Sequence, residues 1–469
     1  MLKPVKMKEE QYFFSEGKKI HFVGIGGVGM SALAQMARWQ GSTVSGSDRF
    51  FDRGELLDLK DCLEGEGIII FPQDGSGISD AALVVSSAAV ESDIPDLIEA
   101  KRLSIPLMSR GEYLLRLAEG KRTLAVAGTN GKSTTTAILS WILEKCGYDP
   151  TFIIGAAIRG ERRGWGNGRL GESEWFCFEA DESDGILPRY QPSFGIINNI
   201  SPDHLEIEEL REVFSSFAAN CREGLVINRD CPESRTLPIE NSRIVTFSVE
   251  SPSICQARSV KISGEKSLFE LSGENFIIPL PGRHNLYNGL AAIAAASLTG
   301  LSLSRIAEAL IDFPGIKRRL EIVHSAPDLI VIDDYSHNPA KITAALAAAH
   351  LMGGRITAIY QPHGFGPLRR FHREIAEAFS ESILPGDRLF LLPVYYAGGT
   401  VQPGYGSEEL AGEIRAGGSV MSVSDRAEIF SCIDRRPAGR EVILVMGARD
   451  PSLSELARNI VARTIFDSE

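Results

Sequence analysis

The segment AVAGTNGKSTTTAILSWIL, residues 125–143, sets two glycines, a lysine and a hydroxyl at the mouth of a helix. Gly128 and Gly131 open a loop, Thr129 and Asn130 lie between them, and Lys132, Ser133 and Thr134 start the helix. This composition suits phosphate binding. Backbone N–H groups cradle the oxygens, the lysine reaches the terminal phosphates, and the serine hydroxyl is placed to ligate Mg²⁺. The loop is short, with Val126 where the usual pattern has its first glycine. An apolar strand then ends in carboxylates at FCFEADESDG, 176–185. Glu179 still sits among strand residues and is the expected metal ligand, with Asp181 next in line. Glu182 and Asp184 are expected in a solvated acidic loop. The segment IINNISPDHLE, 196–206, ends another strand with His204, a candidate second metal ligand.

A second anion-binding pattern lies about a hundred residues earlier. GIGGVG, residues 24–29, satisfies GxGxxG through Gly24, Gly26 and Gly29, with Gly27, Val28 and Met30 beside them. Asp48 falls where an acidic residue meets a ribose hydroxyl. By itself this loop fits an NAD-dependent oxidoreductase, but that leaves GTNGKS and FEADESD without work. A nucleotide-binding regulator without turnover has no use for Lys132, Ser133, Glu179 and His204 together.

The elements that must position these groups follow from periodicity. KKIHFVGIGGVGMSALAQMARWQGSTVSGSD reads strand, turn, helix, strand, and RTLAVAGTNGKSTTTAILSWILEKCG is a second such start. After DFPGIKRRL a third α/β run begins with LIVIDDYSHNPAKITAALAAA. Alternation of this kind predicts α/β domains with parallel sheets and crossover helices. Three domains are expected at 1–119, 120–314 and 315–469. They comprise an N-terminal Rossmann-like domain, a central P-loop domain and a C-terminal Rossmann-like domain.

Bulk properties exclude other classes. The 469 residues carry a net charge of −12, so nothing predicts a general grip on nucleic acid. The basic start lacks an apolar run, and no stretch is long and uncharged enough for membrane insertion. Seven scattered cysteines, none in CxxC spacing, fit a reducing cytoplasm rather than a disulfide framework or a zinc site.

Taken in order, GIGGVGMSALA, SDAALVVSSAAV, AGTNGKSTTT, EADESD, GRHNLYNGLAAIAAA, GIKRRLE and DDYSHNP resemble the Mur ligases, the ATP-dependent amide-forming enzymes of peptidoglycan precursor synthesis. The match runs over nearly the whole chain. The short loop GTxGK(S/T) is the family's own. The resemblance implies that the first loop holds the diphosphate of a UDP-sugar, helped by Asp48, Ser86 and Ser87. It implies that Asn285 and Asn288 border the adenine, with His284 beside them, and that Arg318 and Arg319 reach the nucleotide. It also implies ATP and Mg²⁺, the metal held by Ser133, Glu179 and His204. Lys132, Glu179 and His204 become the catalytic set, with domain closure bringing the reactants together.

The branch most resembled adds L-alanine to UDP-N-acetylmuramate; a recycling branch adds a whole tripeptide to the same sugar nucleotide. SPDHLEIEELREVFSSFAAN contains no lysine, unlike the later ligases that carry a carbamylated one there. The amino-acid pocket is expected between DDYSHNP and YQPHGFGP, lined by Tyr335, His337 and His363. Four positions depart from the alanine-adding branch: Asn130 and Asn338 replace histidines, and Gly364 and Pro367 replace arginines that meet the amino acid's carboxylate. Arg369 and Arg370 follow in the chain.

Overall fold

The computed structural model describes residues 17–466 except 89, 161, 202–205, 240–242, 397–403 and 434–438. His204 therefore lies outside the described residues. The chain divides into two compact units. One runs to Gln256 and includes Asn288–Ala309; the other comprises Ala257–Tyr287 and the chain from Leu310 onward.

The first unit holds two sheets. Strands β1 (Lys19–Val23), β2 (Thr43–Ser47), β3 (Ile69–Phe71), β4 (Leu83–Ser86) and β5 (Leu107–Ser109) form an all-parallel sheet in the order β3-β2-β1-β4-β5. The order reverses between β1 and β4. In open α/β sheets the crevice outside such a switch point is where ligands bind. The GxGxxG loop leaves β1 here and runs into α1 (Val28–Trp39), whose Met30, Leu33, Ala34 and Ala37 are buried as their helical spacing requires. A second helix, α2 (Arg110–Ala118), starts in a capping box between Ser109 and Glu112.

The central sheet comprises β6 (Arg122–Ala127), β7 (Thr151–Ile153), β8 (Gly168–Arg169), β9 (Trp175–Glu179), β10 (Phe194–Ile197), β11 (Gly224–Asn228), β12 (Ile244–Ser248) and β13 (Cys255–Gln256). Its order is β13-β12-β11-β10-β6-β9-β7-β8, parallel except where β8 turns back along β7. The loop strand β6 lies between β9 and β10, and Glu179 stands level with Val126. The phosphate-loop helix α3 (Lys132–Lys145) buries Ile138, Leu139, Ile142 and Leu143. One hydrophobic core runs through both sheets of this unit, from Ile20 and Leu83 to Phe178, Phe214 and Leu225.

The second unit contains a three-stranded antiparallel sheet, β14 (Arg258–Ile262), β15 (Ser267–Leu271) and β16 (Glu274–Ile278). Helix α4 (Arg283–Leu298) follows and crosses the boundary between the units. The larger sheet is β17 (Glu321–Ser325), β18 (Leu329–Asp334), β19 (Arg355–Gln361), β20 (Arg388–Leu391), β21 (Ser419–Ser422) and β22 (Glu441–Gly447). Its order is β17-β18-β22-β19-β20-β21, with only the edge strand β17 antiparallel. The central strands are apolar on both faces: Ile330 and Ile332 pack on one side, Leu329 and Val331 on the other. No helix among the described residues is long and apolar enough to cross a membrane.

Candidate active site

The chemistry converges at the C-terminal ends of β6, β9 and β10. The loop after β6 is held from one side by the loop after β10. The Asn130 N–H donates to Asn199 Oδ1 at 2.9 Å, and Asn199 Nδ2 donates back to the Asn130 carbonyl at 3.0 Å. Thr129 N–H donates to the Asn199 carbonyl at 3.0 Å, and its hydroxyl to the Ser201 carbonyl at 3.0 Å. Asn198 Nδ2 donates to Thr135 Oγ1 at 2.8 Å. The buried Oδ1 atoms of Asn130 and Asn198 have no hydrogen-bond partner among the described residues, leaving acceptors beside the loop. Gly131 has φ of 83°, and a Cβ there would collide with Asn288 Oδ1, so only glycine fits.

On the other side stands β9. Ser133 Oγ donates to Glu179 Oε2 at 3.1 Å, and the Gly155 N–H donates to Glu179 Oε1. Burial raises the Glu179 pKa, against the pull of the Gly155 N–H, Lys132 and Ser133. A hydroxyl and a carboxylate so paired are hard oxygen donors and fit a magnesium ion. Lys132 Nζ donates to the Gly128 carbonyl and to Glu182 Oε2, both at 2.8 Å, and lies 3.7 Å from Asp181. Burial disfavours its charge, but Glu182 and Asp181 outweigh this and raise its pKa.

The expectation of a solvated acidic loop fails for Glu182 and Asp184. Their side chains are 4% and 5% exposed, because Lys132 takes Glu182 and Arg110 takes Asp184. Arg110 was not anticipated. The SRGE pattern at 109–112 marks a helix start, but nothing in it places the guanidinium on a loop seventy residues later.

The first glycine loop is built as a turn closed by its own aspartate. Asp48 accepts from the N–H groups of Gly26 at 2.8 Å and Phe50 at 2.9 Å, and burial raises its pKa. Its carboxylate thereby shapes the loop. Ser86 ends β4, and Ser87 packs against Gly24. Helix α1 is joined to the central sheet through buried amides that the sequence did not advertise. Asn167 Nδ2 donates to the Val28 carbonyl at 2.7 Å and Ser31 Oγ at 3.0 Å; Gln35 Nε2 donates to Asn167 Oδ1 at 3.0 Å.

In the second unit Tyr335, His337 and His363 come together as expected. The Tyr335 and His337 rings are 5.4 Å apart, and those of His337 and His363 4.8 Å. Burial, with Lys341 and His363 nearby, holds the His337 pKa well below the usual histidine range. The guanidiniums of Arg318 and Arg319 lie over the Tyr335 ring at 5.2 and 4.6 Å. Arg369 and Arg370 are exposed on α6 (Phe365–Ser382), a helix that follows α5 (Pro339–His350) and begins next to Gly364. Asn285 Nδ2 donates to the Pro281 carbonyl at 2.8 Å, and the buried Asn288, three residues on along α4, lies beside Thr135 in the first unit. Burial lowers the His284 pKa.

Three family models match the chain. They are "Mur ligase family, catalytic domain" at 19–122, "Mur ligase middle domain" at 126–296, and "Mur ligase, glutamate ligase domain" at 318–449. The chain is 35% identical over 452 residues to the UDP-N-acetylmuramate–L-alanine ligase of Agrobacterium fabrum, covering 92% of this chain and 93% of that protein. The structure of the UDP-N-acetylmuramate–alanine ligase from Thermotoga maritima superposes with a TM-score of 0.80 at 27% identity, covering 96% of this chain and all of that one. A murein peptide ligase from Psychrobacter arcticus shares the fold, with a TM-score of 0.68 at 23% identity over 96% of this chain and 99% of that one.

Proposed function

The chain belongs to the Mur ligase family, and from that premise we propose that it joins L-alanine to the lactyl carboxylate of UDP-N-acetylmuramate at the expense of ATP, in peptidoglycan precursor synthesis. The observation that carries the chemistry is the meeting of Lys132, Ser133 and Glu179 at one phosphate loop.

A carboxylate is a poor electrophile, and phosphate is a good leaving group. The γ-phosphoryl of ATP passes to the lactyl carboxylate and ADP leaves. The amine of L-alanine attacks the acyl phosphate, a tetrahedral intermediate forms, and phosphate departs as the ammonium proton is given up. Lys132 meets the terminal phosphates once they displace the Glu182 carboxylate from it. Ser133 and Glu179 would hold magnesium, and His204 is the expected further ligand. Magnesium, when bound, offsets the charge repulsion between the phosphates and the attacking carboxylate. The loop at Gly24–Gly29 takes the diphosphate of the sugar nucleotide at the N-terminus of α1.

Tyr335, His337 and His363 form the amine pocket. Arg318 and Arg319 both lie over Tyr335, and Arg319 is the nearer, so a carboxylate partner is at hand although Gly364 and Pro367 replace arginines. His337 is neutral at neutral pH, as a group beside an incoming ammonium should be. Seven scattered cysteines, none in CxxC spacing, suit the reducing cytoplasm, where we place the enzyme.

Phosphate release is the test, with UDP-N-acetylmuramate and competing L-alanine, glycine, L-serine and L-alanyl-γ-D-glutamyl-diaminopimelate. L-Alanine is expected to win. A tripeptide preference above about tenfold in kcat/KM, about 1.4 kcal/mol, overturns the acceptor assignment in favour of the recycling branch.

A further inference from the structure

The acidic loop after β9 carries more negative charge than the phosphate loop beside it can use. Glu179, Asp181 and Glu182 crowd around one lysine. Every carboxylate that closes on Lys132 competes with a nucleotide phosphate for the same ammonium. Glu182 already does so at 2.8 Å. Asp181 is the next competitor, at 3.7 Å, and something must hold it off.

Arg110 is in place to do this. As the first residue of α2 its backbone is fixed by the Ser109–Glu112 capping box. Its Nη2 donates to Asp181 Oδ2 at 3.1 Å and to Asp184 Oδ2 at 3.0 Å. Its Nη1 lies 3.1 Å from where a Cβ on Gly29 would stand, so the missing side chain at Gly29 leaves room for the guanidinium. Local turns aim both carboxylates: Asp181 Oδ1 accepts from the Ser183 N–H and Asp184 Oδ1 from the Ile186 N–H, each at 3.3 Å. Arg110 is thus packed on the first glycine loop and pulls Asp181 toward itself.

We propose that Arg110 is a positioning residue for the ligase reaction, holding Asp181 away from Lys132 so that the lysine stays available to the ATP phosphates. This rests on the ligase reading only in naming ATP as the ligand. Loss of the guanidinium frees Asp181 to close the remaining distance to Lys132. Nucleotide then has two carboxylates to displace instead of one.

The experiment is a calorimetric titration of Mg·AMP-PNP, a non-hydrolysable ATP analogue, into the full-length protein and three variants. Arg110→Gln should weaken binding about tenfold, the scale of one lost charge-assisted hydrogen bond. Arg110→Lys, which keeps the charge, should stay within about threefold of wild type on the same scale. Adding Asp181→Asn to Arg110→Gln should restore binding, because the neutral amide no longer captures Lys132. A purely structural role for Arg110 gives no such rescue, since the second substitution removes a further polar group, and failure of rescue overturns the proposal. If Arg110→Gln does not fold, Asp181→Asn alone decides. Unchanged or tighter binding supports the proposal, and fivefold weaker binding overturns it. Wild-type phosphate release with UDP-N-acetylmuramate and L-alanine, run alongside, tests the ligase reading separately.

Discussion

Replacing Lys132 tests both the energetics and the chemistry of the central loop. The lysine and Glu182 form a buried pair at 2.8 Å, with side chains 13% and 4% exposed. Removing one partner of such a pair costs about 3–5 kcal/mol, because the other charge stays buried without compensation. Lys132→Met should therefore destabilise the ligand-free protein strongly. Glu182→Gln added to it removes the stranded charge while keeping the shape, and most of the loss should return. Asp181 remains with Arg110 in both variants, so its contribution cancels. A recovery of about 3 kcal/mol in a unit of this size corresponds to roughly 6–12 °C in Tm. Thermal unfolding of wild type, both single variants and the double variant yields the coupling directly. A coupling below about 0.5 kcal/mol, the value of an exposed pair, refutes the buried ion pair. In the two variants that lack Lys132 phosphate release should be nearly abolished. UDP-N-acetylmuramate binding should stay within a few-fold, because its loop leaves a different sheet; comparable loss of both refutes separate sites.

Glu179→Gln keeps the shape beside Ser133 but weakens an oxygen ligand, so activity should fall steeply and recover in part at high Mg²⁺. Full activity at ordinary Mg²⁺ moves the ligand role elsewhere. His21 is buried between Ser45 and Ser47, and burial, with Lys19 nearby, lowers its pKa from 6.5 to about 3. Below pH 6.5 the unfolded chain takes up a proton that the native state refuses, so stability falls as pH drops from 6.5 toward 3. Between pH 7.5 and 5.0 the stability advantage of wild type over His21→Gln should shrink by roughly 2 kcal/mol. An unchanged gap in thermal unfolding refutes that protonation account.

The residue order alone determined the parts that obey local rules. Strand–turn–helix starts, the glycines of both loops and the lysine–serine pair are legible because a phosphate loop needs fixed residue types at fixed spacing. Glu179 was legible because it ends an apolar strand. Tyr335, His337 and His363 were placed together by motif resemblance, and their rings do meet. The small sheet over 258–278 was not anticipated, although β15 alternates buried and half-buried residues with the period of a strand. Tertiary structure alone decided the fate of the charges. Glu182 and Asp184 resemble solvated acids in a list of residues. They become buried partners only because β6 and β9 are neighbours in the sheet and α2 begins beside their loop. Asp48 braces its loop for the same reason: its carboxylate meets the Gly26 amide, a contact set by the pairing of β1 with β2. Spacing along a chain carries information about one element at a time. Which cation meets which carboxylate depends on strand order, and that is fixed only when the sheets assemble.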